Sequence, residues 1–151
     1  MKTKIYFGSD HAGFLLKKNL IVELSKKFPE YEFCDLGCES ENSVDYPDYA
    51  EKVARAVVAN KTRGVLVCGS GIGIVIAANK IDGIRAATVW DATSARLSKE
   101  HNDTNIIAVG SRLIGSEVAL DAIALWLKTE FSGNRHQKRV DLITQLEKKN
   151  V

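Results

Sequence analysis

Gly64-Val65-Leu66-Val67-Cys68-Gly69-Ser70-Gly71-Ile72-Gly73 is the stretch on which the fold turns. Its first half is an unbroken apolar run, and a strand that is apolar on both faces is one covered from both sides, the hallmark of a parallel sheet. Its second half puts glycine at alternate positions, where the chain can bend sharply and bring main-chain N–H groups close to a ligand as a helix begins.

The same alternation continues outward in both directions. Upstream, Lys4 to Gly8 reads as a first strand, and a helix follows in which Leu16, Leu20, Leu24 and Phe28 recur at every fourth position. Tyr31 to Leu36 reads as a second strand, and a helix from about Pro47 to Asn60 opens on its proline. Downstream lie a helix through Ala77-Ala78-Asn79, a strand near Ile84 to Trp90, a helix from about Thr93 to Glu100 and a strand from Asn105 to Val109, with further helices to the end. Strands alternating with helices imply right-handed crossovers and a Rossmann-like, three-layer α/β/α sandwich of about five parallel strands, in a single domain over 1–151. The pattern leaves strand order open, with the flavodoxin-like order as the starting expectation.

Bulk properties narrow the function. The 151 residues are 45% hydrophobic and 26% charged, enough for one globular core. No apolar run approaches the roughly 20 residues a membrane helix needs, and Met1-Lys2-Thr3-Lys4 leads directly into a strand, so a cytosolic protein without a membrane partner is expected. The 21 Lys and Arg are spread among 19 Asp and Glu, which argues against nucleic acid and leaves a small anion as the expected partner. Cys34, Cys38 and Cys68 suggest free thiols. No histidine or further cysteine stands near Cys34 and Cys38 to complete a tetrahedral metal set, so neither metal nor other cofactor is expected.

In open parallel sheets the ligand crevice lies at the carboxyl ends of the strands. Strand one delivers Ser9-Asp10-His11 there, strand three Cys68 and its glycine loop, strand four Asp91, and strand five Gly110-Ser111-Arg112. The amides of Gly69 to Gly73 can stabilise negative charge and favour a thiolate at Cys68, a base or nucleophile. A cysteine ending a buried strand is otherwise often a small hydrophobe, and the loop is what favours the reactive reading. A dinucleotide fingerprint would need glycine at position 74, and a cysteine-phosphatase loop would need arginine there. Ile74 excludes both, and no Gly-Lys-Ser/Thr follows for a Walker loop.

His101-Asn102-Asp103-Thr104-Asn105 precedes strand five and therefore sits at the opposite sheet edge from Cys68. It is either a solvated turn or a set of groups that completes the crevice of a neighbouring subunit across a two-fold axis. Near the end of the chain, Arg135 and Arg139 share a helix face with room to grip one phosphate, or form a solvated basic surface. Val140, Ile143 and Leu146 give the same helix an apolar side.

Ser9-Asp10-His11-Ala12-Gly13, Asp45-Tyr46-Pro47, the Cys68–Gly73 loop, Ala77-Ala78-Asn79-Lys80, Gly83-Ile84-Arg85-Ala86, His101-Asn102-Asp103-Thr104-Asn105, Gly110-Ser111-Arg112 and Gly133-Asn134-Arg135-His136 together resemble type B ribose-5-phosphate isomerase. That family also includes galactose-6-phosphate isomerase subunits. The resemblance implies a metal-free aldose–ketose isomerase of the pentose phosphate pathway, a homodimer with shared active sites and with a tetramer left open. It implies that Cys68 moves the C2 proton, and that His101 of the other subunit opens the sugar ring with Asp10 near the ring oxygens. Gly69, Ser70, Gly71, Ile72 and Gly73 would hold the enediolate oxygen, His11, Arg112, Arg135 and Arg139 the phosphate, and Asn102 a sugar hydroxyl. Ser70 stands where the family commonly has threonine, leaving extra room beside a hydroxyl counted among the catalytic groups. The rival readings are a galactose-6-phosphate or allose-6-phosphate isomerase and a non-enzymatic phosphate- or nucleotide-sensing domain.

Overall fold

A computed structural model describes residues 1–149. Asn150 and Val151, the end of the expected domain, lie outside the described residues. In chain order the elements are β1 (Thr3–Ser9), α1 (Phe14–Lys27), β2 (Tyr31–Asp35), α2 (Tyr46–Asn60), β3 (Arg63–Cys68), α3 (Gly73–Ala78), β4 (Ala86–Thr88), α4 (Ala92–Asn102), β5 (Ile106–Gly110), α5 (Ser116–Lys128) and α6 (Arg135–Lys149). The strands form one parallel sheet in the order β2-β1-β3-β5-β4. Among the described residues, no helix is long and apolar enough to cross a membrane.

Side chains on each strand alternate between two cores. Ile5, Phe7, Val65, Val67, Ile107 and Val109 face α1, α4 and α5. Tyr6, Leu66, Cys68, Ile106 and Ala108 face α2 and α3. Covering both faces explains the unbroken apolar run of β3, since each fully buried aliphatic side chain contributes about 1.5–3 kcal/mol. Steps across the sheet from β1 to β2 and from β4 to β5 run one way and place their helices on the first face. Steps from β2 to β3 and β3 to β4 run the other way and place theirs on the second. That coupling of direction to face is what right-handed crossovers require.

The order differs from the flavodoxin-like expectation, because β5 is inserted between β3 and β4. Burial explains the exchange. All of Ile106–Gly110 is buried and needs a neighbour on each side, whereas Ala86-Ala87-Thr88 is only partly buried and suits an edge. β4 is also shorter than the expected Ile84–Trp90. The Asn79 side chain takes both main-chain groups of Ala86, its Oδ1 accepting at 2.8 Å and its Nδ2 donating at 2.9 Å.

Asp91 and the residues that follow Asn102, all expected near a crevice, fasten the fold. Asp91 caps α4: its Oδ1 accepts the Ser94 amide at 2.6 Å while Ser94 Oγ accepts the Asp91 amide at 3.2 Å. Those hydrogen bonds from Ser94 hold the Asp91 carboxyl below its ordinary range. The polar cluster before β5 is no solvated turn, because His101 and Asn102 belong to the last turn of α4. Asp103 closes that helix in the left-handed region (φ 45°) and pairs with Lys99 and Arg85. Thr104 is buried and accepts the Trp126 indole N–H at 2.9 Å, while the Asn105 side chain holds Arg85 N and Gly83 O. On α6 only Val140 of the expected apolar side is buried; Ile143 and Leu146 stand 41% and 55% exposed.

Candidate active site

Cys68 ends β3 with its side chain among the α2 and α3 residues, 4% exposed. The chain then turns back over it, and the Gly71 amide donates to Cys68 Sγ at 3.1 Å. Gly71 can make this turn because its φ is +73°, and a side chain there would meet Val109 main-chain carbon at 2.9 Å. The turn is fastened from the β5 side. Ser111 N donates to Cys68 O at 2.8 Å, Arg112 N to Gly69 O at 3.0 Å, and Thr88 Oγ1 to Gly71 O at 2.6 Å. Ser70 Oγ accepts the Ile72 amide at 3.2 Å. Among the described residues the amides of Ser70 and Gly73 have no partner, so they remain open to an incoming oxygen.

A cavity of about 540 Å³ opens beside the sulfur, lined by Asp10, Cys68, Gly69, Ser70, Ile72, Gly73 and Arg112 together with Tyr46 and Leu113. The thiol therefore borders a recess large enough for a small phosphosugar despite its low exposure. Asp10 is fixed by the Gly13 amide donating to its Oδ1 at 3.1 Å. Arg112 lies across the loop entrance, its Nη1 3.3 Å from where a Gly69 side chain would begin. His11 follows Asp10 but does not line the recess; its Nδ1 accepts the Val44 amide at 3.2 Å, which places any proton of the neutral ring on Nε2. The segment carrying Val44 is anchored by the buried Lys17, whose ammonium reaches Asp35 Oδ1 and Cys38 O, both at 2.7 Å.

The remaining expected residues lie elsewhere in the subunit. His101 stacks on His136, ring centroids 4.3 Å apart and planes 13° from parallel, at the junction of α4 with α6. Arg135 and Arg139 stand exposed on the first turns of α6. Partial burial, then the nearby His101, Arg135 and Arg139, hold the His136 imidazole below its ordinary value. Asn102 borders a separate cavity of about 600 Å³ with Arg85, Ile143 and Leu146. Because α4 runs back against the strands, its final turn sits at the edge away from Cys68, as the position of the motif before β5 predicts.

Sequence reading missed Tyr46, Leu113 and Thr88. Tyr46 carried a signal in the Tyr46-Pro47 start of α2; the other two had none, since a threonine in a strand and an exposed leucine are ordinary. The helix-dipole reasoning for Cys68 is also weaker than expected, because α3 spans only Gly73–Ala78. A dipole needs several aligned turns, so the main-chain group that meets the sulfur is the single Gly71 amide of the loop. Among the described residues no group of three or more His, Cys, Asp or Glu side chains gathers in metal-binding geometry.

A thiol beneath an amide-lined loop at the carboxyl edge of a parallel sheet, with a carboxylate and a guanidinium in the same recess, defines an α/β protein built for a small anionic ligand. The chain belongs to the Ribose/Galactose Isomerase family, whose model matches residues 5–143. It is 46% identical to ribose-5-phosphate isomerase B of Escherichia coli over 147 residues, covering 97% of each protein. The solved ribose-5-phosphate isomerase B of Clostridium thermocellum superposes with a TM-score of 0.95 at 49% identity, covering 99% of this chain and 100% of that one. The Mycoplasma genitalium ribose-5-phosphate isomerase B, solved with bound ribulose-5-phosphate, superposes at 0.92 with 36% identity, covering 98% of each chain.

Proposed function

We propose that this chain interconverts ribose 5-phosphate and ribulose 5-phosphate by metal-free proton transfer through an enediolate, with Cys68 as the base. The observation that carries the reading is the pairing of Cys68 Sγ with the Gly71 amide beside the open amides of Ser70 and Gly73. Proton abstraction next to a carbonyl needs a base and preorganised donors at the oxygen that becomes negative, and one loop supplies both. In the forward direction the thiolate takes the C2 proton, the C–H electron pair forms the C1–C2 double bond, and the carbonyl pair moves onto O1. The Ser70 hydroxyl, which lines the recess, would relay the proton from O2 to O1, and the thiol returns its proton to C1. Likeness to the Mycoplasma protein with ribulose-5-phosphate supports the substrate.

The working unit of this reading is a cytoplasmic homodimer in which His101, Asn102, Arg135 and Arg139 of one subunit complete the recess of the other. Support comes from their place at the wrong edge for their own Cys68, and from the exposed Ile72 and Leu113 that line the recess, with Ile76 exposed on α3. Asp10 and His101 would then assist ring opening, Asn102 would hold a sugar hydroxyl, and His11, Arg112, Arg135 and Arg139 would hold the phosphate. Turnover of ribose 5-phosphate compared with galactose 6-phosphate and allose 6-phosphate, with and without chelator, tests the assignment. A preference for the five-carbon substrate that survives chelation is expected; preference for a six-carbon phosphate would overturn it.

A further inference from the structure

We propose that the phenol hydroxyl of Tyr46 is a further catalytic donor, which completes the ring of hydrogen-bond donors around the oxygen that becomes negative. The inference rests on the isomerase reading. Tyr46 is the first residue of α2, with Pro47 immediately behind it in the first turn, and the ring projects from there into the Cys68 recess. Gly73 marks where the ring ends. A Cβ at Gly73 would stand 2.7 Å from Tyr46 Cζ and 2.8 Å from its hydroxyl oxygen, closer than atoms can pack. The end of the ring that carries the hydroxyl, rather than its flank, is therefore what lies against the loop, and the third glycine of Gly69-Ser70-Gly71-Ile72-Gly73 leaves room for it.

Tyr46 is 39% exposed, and among the described residues its hydroxyl makes no hydrogen bond. A tyrosine enclosed at one end commonly gives its hydroxyl a partner. The neighbouring Gly73 amide is unpaired as well, so two free donors stand beside one residue of the loop and can share one acceptor position. A ligand oxygen seated on the Gly73 amide fills that position. In the forward reaction this is O1: as Cys68 Sγ takes the C2 proton and the carbonyl pair moves to O1, the phenol strengthens its hydrogen bond to O1 and keeps its own proton. Phenol and enediolate thus exchange no atoms, and the gain appears only as charge develops.

Steady-state kinetics on ribose 5-phosphate for wild type, Tyr46→Phe and Tyr46→Ala test this, together with binding of a phosphorylated hydroxamate that mimics the enediolate. Tyr46→Phe removes one oxygen and keeps the ring. Expected are a fall in kcat of about 10- to 100-fold, KM within about twofold of wild type, and a loss of hydroxamate affinity that follows kcat, since losing one donor to an oxyanion acts on the transition state. Tyr46→Ala should lose at least as much kcat, and an unchanged melting temperature for Tyr46→Phe separates the effect from misfolding. A Tyr46→Phe protein with wild-type kcat, or one in which only KM rises, overturns the proposal and leaves the ring as a wall. Failure of the wild type to turn over ribose 5-phosphate would instead strike the isomerase reading itself.

Discussion

Gly71 holds a φ of +73° with the Val109 main chain 2.9 Å from any side chain it might carry, and its amide is the one that reaches Cys68 Sγ. Backbone atoms of β5 cannot yield as a flexible side chain would. Gly71→Ala should therefore cost about 1–3 kcal/mol in urea unfolding and lower kcat well beyond what that loss explains, because the loop must move away from the sulfur. Wild-type kcat in that variant would show that the amide–sulfur contact is dispensable. At this scale Asp10, Cys68, Ser70 and Arg112 could be placed at one recess from sequence, because each follows a strand end and parallel sheets gather strand ends. Tyr46 could not, since it opens a helix rather than ending a strand and reaches the recess only through the packing of α2 against α3. Asp91 was misplaced for a related reason: a strand-end aspartate that also has serine at the third helical position is a capping box before it is a ligand.

Among the elements, α4 combines two tasks that its sequence blends together. His101 and Asn102 in its last turn are the groups expected to serve catalysis, while Asp103, Thr104 and Asn105 directly after them fasten α4, α5 and the Gly83–Arg85 turn. Thr104→Val separates the tasks. It is close to isosteric and strands the buried Trp126 indole N–H, so unfolding free energy should drop by about 1–3 kcal/mol while kcat at low temperature stays near wild type. A selective loss of kcat without destabilisation would assign Thr104 to the reaction instead. Nothing in the run His101-Asn102-Asp103-Thr104-Asn105 separates capping from catalysis, because asparagine and aspartate are equally suited to both. Helix positions themselves were legible, since α1 carries leucine at every fourth position from Leu16 to Leu24, and α2 carries strong apolar periodicity and a proline start.

For the molecule as a whole, the layered α/β architecture followed from alternation, but the strand order did not. The strand candidates near Ile84–Trp90 and Asn105–Val109 exchange places relative to the flavodoxin-like order according to how much of each is buried, and burial is a property of the finished sheet. The separation of His101, Arg135 and Arg139 from Cys68 is likewise a whole-molecule fact, and it makes subunit pairing a kinetic prediction. Mixing inactive Cys68→Ala and His101→Ala proteins under subunit exchange should restore activity, since each mixed dimer regains one intact recess. No recovery after demonstrated exchange would place each site within a single subunit.

The central claim is that the Cys68 thiolate carries hydrogen between adjacent sugar carbons, and solvent exchange at C2 reads this step directly. In deuterium oxide, wild type should turn over ribose 5-phosphate and exchange the C2 hydrogen, detected by proton NMR. Cys68→Ala should still bind the phosphosugar but exchange nothing above background, whereas C2 exchange by that variant at the wild-type rate would contradict the claim.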